Sequence, residues 1–207
     1  MGNVKLGSLI VTAALWAIVG CGEGPNSASL STATKVAAAN PSFHLLDLDD
    51  KEAGLWQDGP AAVTVALFTQ SDCPISNRYA PDILALYEKF HPQGVNFYLL
   101  FVDPRQSPEA IRSHLKEYGY PFPALRDPEH SFATFAGATV TPEAVVFDAN
   151  RRIVYRGRID DLFADFGKSR SDATSHYLAE AIEATLAGRP VAEPVTKAIG
   201  CYIADLQ

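Results

Sequence analysis

The 207-residue sequence holds three cysteines, Cys21, Cys73 and Cys201, and no pair of them has a C-x-x-C spacing. That excludes the local dithiol of many redox proteins, and with it C-x-x-C-H haem attachment. The five histidines, His44, His91, His114, His130 and His176, form no H-x-x-x-H or H-E-x-x-H pair, so the ligand set of a zinc hydrolase is missing. No metal and no organic cofactor is expected. His114 and His176 fall on predicted helices, where surface exposure is their plain reading. Positive charge is scarce as well: 17 Lys and Arg stand against 24 Asp and Glu, for a net charge of -7. No basic footprint for nucleic acid exists, and no long acidic block suggests a disordered tail. Internal repeats are absent. What remains is ordinary: 47% hydrophobic residues in a chain long enough for one good core, hence one domain with flanking segments.

The longest apolar run is Leu6 to Gly20, 15 residues after Lys5. A spanning helix needs about 20, so the run reads as the hydrophobic region of a signal peptide. Its ending, Ile18-Val19-Gly20-Cys21, resembles the bacterial lipobox, in which cleavage before the cysteine leaves it as the lipid-bearing first residue. Residues 1–20 are therefore expected to be a lipoprotein signal, and residues 21–42, rich in Gly, Ser, Ala, Thr, Asn and Pro, a flexible tether. The domain is expected over residues 43–188, with residues 189–207 as a tail docking on it. This address implies a cell-envelope protein, held in the membrane through Cys21 and facing the periplasm, where disulfides persist. Cys73 and Cys201 then remain, the smallest number that can pair.

A first strand is expected in "FHLLDL", from Phe43. "AAVTVALFT", Ala61 to Thr69, and "VNFYLLFVD", Val95 to Asp103, are nearly unbroken apolar runs, as in strands buried on both faces. A helix is expected from Pro74 to Phe90, with Ile83, Leu84, Leu86, Tyr87 and Phe90 at helical spacing. Ser107 and Pro108 start a second helix, through Tyr118, that Gly119 stops. After the short "FPALRD" and the helical piece "PEHSFATFAG", the runs "EAVVFD" and "IVYRGR" read as an antiparallel hairpin across "ANRR". A last helix is expected from Thr174 to Leu186, ended by Gly188 and Pro190; the tail beyond has no clear period. This order implies an α/β fold with a mixed central sheet and helices on both faces.

Cys73 falls where a buried strand gives way to a helix. Unpaired backbone N–H groups and the positive end of the helix dipole favour thiolate there, and Pro74 suits the first helical turn. Cys-Pro at a helix start, Pro81 within the helix and a later Thr141-Pro142 before a hairpin strand together resemble the thioredoxin fold. The resemblance covers roughly Phe43 to Leu186. An extra stretch before the second proline is similar to the redoxin branch, the AhpC/TSA- and TlpA-like thiol oxidoreductases. It implies that Cys73 is the reactive cysteine and that Pro142 is cis, shaping with Thr141 a surface for an extended substrate. Pro74, Thr141, Pro142 and Glu143 would then contact substrate.

The sequence departs from the family patterns at definite positions. Cys73-Pro74-Ile75-Ser76 is C-x-x-S, and serine cannot resolve a mixed disulfide. The peroxidase pattern P-x-x-x-T-x-x-C meets Ala66 and Gln70, leaving Thr69 or Ser71 as possible donors to a peroxide. Sco-type copper chaperones use C-x-x-x-C, and Asn77 stands at their second cysteine. Arg78 either helps to hold the thiolate or belongs to a solvated helix face. Glu143 either acts on a proton at the sulfur or is a strand-edge charge. Asp160, Asp161 and Asp165, with Arg158 and Lys168, form either a cation-binding loop or a solvated one. Cys201, in "AIGCYI", is either the resolving thiol or a small apolar residue that pins the tail. The expected function is thiol-disulfide exchange by Cys73, with a protein disulfide as substrate and an external thiol as electron donor. Peroxide reduction is the alternative, and copper delivery or a redox-inactive binding module is a further one.

Overall fold

The computed structural model describes residues 43–57, 59 and 61–204, all within one unit, Pro41–Gln207. The expected signal peptide, the lipid-bearing Cys21 and the tether lie outside the described residues. Among those described, no helix is long and apolar enough to cross a membrane. In chain order the elements are β1 (Leu45–Leu46), β2 (Glu52–Ala53), β3 (Val63–Thr69), α1 (Pro74–Arg78), α2 (Ala80–Phe90), β4 (Val95–Phe101), α3 (Pro108–Tyr118), β5 (Ala124–Arg126), α4 (Ser131–Ala136), β6 (Val140–Thr141), β7 (Glu143–Asp148), β8 (Ile153–Gly157), β9 (Phe163–Asp165), β10 (Lys168–Ser169), α5 (Tyr177–Leu186) and β11 (Cys201–Tyr202).

Seven strands form the main sheet in the order β2-β1-β5-β4-β3-β7-β8. β3 and β4 run parallel, as do β4 and β5, because each pair is joined by helical crossovers. β7 and β8 are the expected hairpin, and β7 is antiparallel to β3. The mixed α/β sheet expected from the sequence is therefore present. β3 is buried along its whole length, and its side chains divide by alternation. Val63, Val65 and Leu67 face Ile83 of α2, Ile111 of α3 and Leu178 and Ile182 of α5. Ala66 and Phe68 face the other way, toward Phe132 and Ala136 of α4, Leu55 and the tail residue Ile203. Helices thus cover both faces.

Four elements differ from the sequence reading. The helix expected from Pro74 to Phe90 is two helices, broken at Tyr79. Pro81 has no N–H to give to the Asn77 carbonyl, and its ring crowds that carbonyl. "FPALRD" supplies β5 beside β4. The last helix begins at Tyr177 instead of Thr174, because the amides of Thr174 and Ser175 donate to the Asp161 carboxylate at 2.6 and 2.9 Å. The first strand shrinks to Leu45–Leu46, which pairs with β2 and β5 at the sheet edge.

Candidate active site

The site begins where β3 ends. The backbone turns through Gln70 to Asp72, and the Cys73 amide donates back to the Gln70 carbonyl at 3.2 Å. Asn77 Nδ2 donates to the Ser71 carbonyl at 2.8 Å, and Gln106 Nε2 to the Ser71 hydroxyl at 2.8 Å. His114 Nε2 lies 2.9 Å from Asn77 Oδ1. That oxygen accepts, so Nε2 carries the proton. His114 is buried, and its expected surface position is corrected. α3 presents one face to the core, and the ring packs edge-on to Phe101. Burial lowers its pKa, and Nδ1 is buried without a partner among the described residues.

Cys73 is the N-cap of α1, and Pro74 takes the first helical position. The cysteine is 2% exposed and is bonded to Cys201 in a disulfide, with the Cα atoms 6.1 Å apart. That separation lies inside the usual range for a bridge. Ser76 is the third residue of α1, from which a side chain reaches back toward the N-cap. It is buried, and its hydroxyl has no partner among the described residues.

Thr141-Pro142 is a cis peptide, and the Thr141 carbonyl oxygen lies 3.2 Å from Cys73 Sγ. The Thr141 hydroxyl donates to Gln70 Oε1 at 3.1 Å, with both residues buried. Gln70 therefore ties the cysteine loop to the cis-proline loop, a role the sequence reading missed. Its one signal is positional, since Gln70 replaces the threonine that the peroxidase pattern carries three residues before the cysteine.

The tail completes the site. Arg156 N donates to the Pro194 carbonyl at 2.9 Å and Thr196 N to the Arg156 carbonyl at 3.0 Å, so the tail first runs along β8. It then crosses the cis-proline, and β11 pairs antiparallel with β6, Cys201 opposite Thr141 and Tyr202 opposite Val140. Cys201 is half-buried. The Ile203 amide donates to the Thr139 carbonyl at 3.0 Å, and its side chain is fully buried.

The remaining sequence candidates fall around this centre. Glu143 is buried and accepts from the Thr139 amide at 2.9 Å and the Val140 amide at 3.4 Å, with Arg156 Nε 3.8 Å away. Burial pushes its carboxyl pKa up, against those two hydrogen bonds and the Arg156 charge. Its carboxylate thus braces the segment that carries β6. Thr69 is buried at the end of β3, and its carbonyl accepts from Val102 N. Arg78 is exposed, and its charge acts on Asp82. Asp160 accepts from the Tyr79 hydroxyl at 2.6 Å and the Leu162 amide at 2.8 Å. Asp161 accepts from the Thr174 hydroxyl and from the Thr174 and Ser175 amides, which hold its carboxyl well below the usual range. These two aspartates pin a loop, whereas Asp165 and Lys168 sit on the exposed β9–β10 hairpin. Among the described residues no cluster of three His, Cys, Asp or Glu side chains is placed to hold a metal ion.

A thioredoxin-like sheet that sets a cysteine pair at bonding distance beside a cis-proline defines a thiol oxidoreductase of the redoxin class. More narrowly, the chain belongs to the AhpC/TSA family, whose profile matches residues 36–156. The tail with Cys201 lies beyond that match. Among solved structures, the chain is similar to an uncharacterized conserved protein from Geobacillus kaustophilus, with 30% identity over 79% of this chain and 88% of that one, at a TM-score of 0.67. It is also similar to a hypothetical protein from Sinorhizobium meliloti, with 28% identity over 79% and 90% and a TM-score of 0.69. A thioredoxin-like protein from Aeropyrum pernix, 16% identical over 71% and 89% with a TM-score of 0.51, shares the fold. No curated protein matches significantly.

Proposed function

We propose that the protein is an extracytoplasmic thiol-disulfide oxidoreductase, anchored through lipid on Cys21, with Cys73 as nucleophile and Cys201 as resolving thiol. The observation that carries this reading is the Cys73–Cys201 bond lying against the cis-proline loop. In the reduced protein the Cys73 thiolate attacks one sulfur of a protein disulfide. A mixed disulfide forms, and the first client thiolate leaves. The Cys201 thiolate then attacks Cys73 Sγ, closing the internal bond and expelling the second client thiolate. Two electrons pass to the client, and an external dithiol donor restores the enzyme by the same exchange in reverse.

Local groups act on the sulfur in opposite senses. The N-terminus of α1 favours thiolate, while the Thr141 carbonyl favours the protonated thiol. Disulfide exchange is preferred to peroxide reduction because the side chain at position 70 is an amide engaged with Thr141. The deciding experiment compares turnover of a model protein disulfide with turnover of hydrogen peroxide. Disulfide turnover should dominate, vanish in Cys73→Ser and stall as a mixed disulfide in Cys201→Ser. Peroxide turnover that exceeds it and survives Cys201→Ser would overturn the assignment. The location rests on Lys5, the apolar run and Ile18-Val19-Gly20-Cys21. Wild type should enter a detergent phase and Cys21→Ser should not; a soluble, unmodified wild-type chain would refute the anchor.

A further inference from the structure

The cis-proline edge is the surface that the family resemblance assigns to an extended substrate; we infer that β11 occupies it as an internal mimic, and that the client segment accordingly carries a small residue before the exchanging cysteine and an aliphatic residue two after it. This rests on Cys73 being the nucleophile, as proposed above. The tail displays the pattern as Gly200-Cys201-Tyr202-Ile203, with Cys201 opposite Thr141. A Cβ at Gly200 would overlap the Thr141 carbonyl and stand 3.1 Å from Pro142 N. The φ of Gly200 is outside the left-handed range, so close approach alone demands glycine there. Tyr202 is 68% exposed, so its position admits any side chain. Ile203 is fully buried among Phe68, Phe132 and Val145.

The edge that receives this strand is built for an exchangeable occupant. Glu143 takes the Thr139 and Val140 amides, which leaves the Thr139 carbonyl to accept the Ile203 amide. An incoming segment gains the same backbone bonds by strand addition, with the side-chain seats supplying selectivity. Tail and client cannot sit there together. Attack by Cys73 on a client disulfide therefore requires that the tail strand has left. Its return brings Cys201 to Cys73 Sγ, so forming the internal bond and releasing the client thiolate are one movement.

The test uses full-length protein with Cys201→Ser and a blocked synthetic peptide of sequence Ala-Ile-Gly-Cys-Tyr-Ile-Ala, whose cysteine carries a nitrothiobenzoate leaving group. Cys73 attacks the peptide sulfur and expels the coloured thiolate, and peptide mapping assigns the adduct. Valine in place of the peptide glycine, or aspartate in place of its second isoleucine, should slow the reaction by about tenfold or more, the factor for losing one buried aliphatic seat. Alanine in place of the tyrosine should change it by less than about twofold, as for an exposed side chain. Adding Gly200→Val to the protein should unseat its own tail and speed up the parent peptide. Equal rates for all peptides, with a small aromatic disulfide reagent that releases the same coloured thiolate still reacting at Cys73, would overturn the client pattern and leave the nucleophile standing. An unchanged rate in Gly200→Val would overturn the shared seat. No adduct on Cys73 from peptide or reagent would overturn the nucleophile assignment, and the client inference with it.

Discussion

Reducing the Cys73–Cys201 bond should reveal how firmly the tail is held without it. In the unfolded chain the bond closes a loop spanning 128 positions, for which loop entropy gives about 5 kcal/mol of stabilisation at room temperature. That full amount appears only if the reduced native protein keeps both sulfurs in place. If the reduced tail is free beyond Leu186, the last residue of α5, its sulfur is tethered by the 15 positions from 186 to 201. The stabilisation is then the difference between two loop closures, (3/2)RT ln(128/15), or about 2 kcal/mol. Thermal unfolding of oxidised wild type, dithiol-reduced wild type and Cys201→Ser separates the cases. For a domain of this size, about 2 kcal/mol lowers the melting midpoint by about 4–8 °C and about 5 kcal/mol by about 10–20 °C. The smaller drop is expected, because an exchangeable tail must leave its edge once reduced. A drop in the larger range would show the tail still seated, against strand exchange. Equal midpoints would refute the reasoning altogether.

Three further outcomes follow from local contacts. Ser76→Ala removes a buried hydroxyl that has no partner among the described residues and should leave stability in denaturant unfolding nearly unchanged; a loss of about 1 kcal/mol or more would show that the hydroxyl is bonded. Tyr79→Phe leaves the buried Asp160 carboxylate without its 2.6 Å donor and should destabilise by about 1–3 kcal/mol in denaturant unfolding, with the Cys73 alkylation rate unchanged. His114 has its pKa lowered by burial, so the unfolded chain binds the extra proton first. Stability should therefore fall as pH drops below about 6.5, and His114→Gln should flatten that slope by up to about 1.4 kcal/mol per pH unit. Parallel pH profiles in wild type and variant would refute a buried neutral imidazole.

The elements that the sequence made legible are those whose cause is local. β3 and β4 declare themselves as apolar runs because both faces of those strands are covered. α3 has a serine cap accepting from Ala110 N, a proline at its start and Gly119 at φ 72° beyond its end. What stayed hidden depends on distant partners. The apolar period of Ile83, Leu84, Leu86 and Tyr87 is continuous with α1, and only Pro81 marks the break. The start of α5 is set by Asp161, 13 residues before Thr174. Gln70 and His114 were read for what they are not, a peroxidatic threonine and a metal ligand. Their roles come from Thr141 and Asn77 across the fold. The second aliphatic of "AIGCYI" has no helical or strand period around it, yet it fills a place in the core beside Phe68.

The C-x-x-S sequence changes more than the identity of one atom. In a C-x-x-C protein the two sulfurs share one helical turn, so the bond opens and closes while the surface around it keeps its shape. Here position 76 keeps a hydroxyl, and the second sulfur sits on the strand that covers the cis-proline edge. Oxidation state and access to that edge thereby become the same variable. The covalent bond closes the edge, and reduction leaves the end strand β11 held by two residue pairs with β6, the bond from the Ile203 amide to the Thr139 carbonyl and one buried isoleucine, itself an anchor worth about 1.5–3 kcal/mol, while Pro194 and Thr196 keep their bonds to β8. Ordering each residue of the returning tail opposes that anchor by about 1–2 kcal/mol. A reduced tail is therefore a weak competitor, and a client strand with equivalent contacts can displace it. Once the client's disulfide has been attacked, closing the internal bond restores the covalent advantage to the tail. In the proposed mechanism Cys201 is therefore both the resolving sulfur and the means of expelling the client, two tasks that a serine-for-cysteine exchange at position 76 would otherwise leave undone.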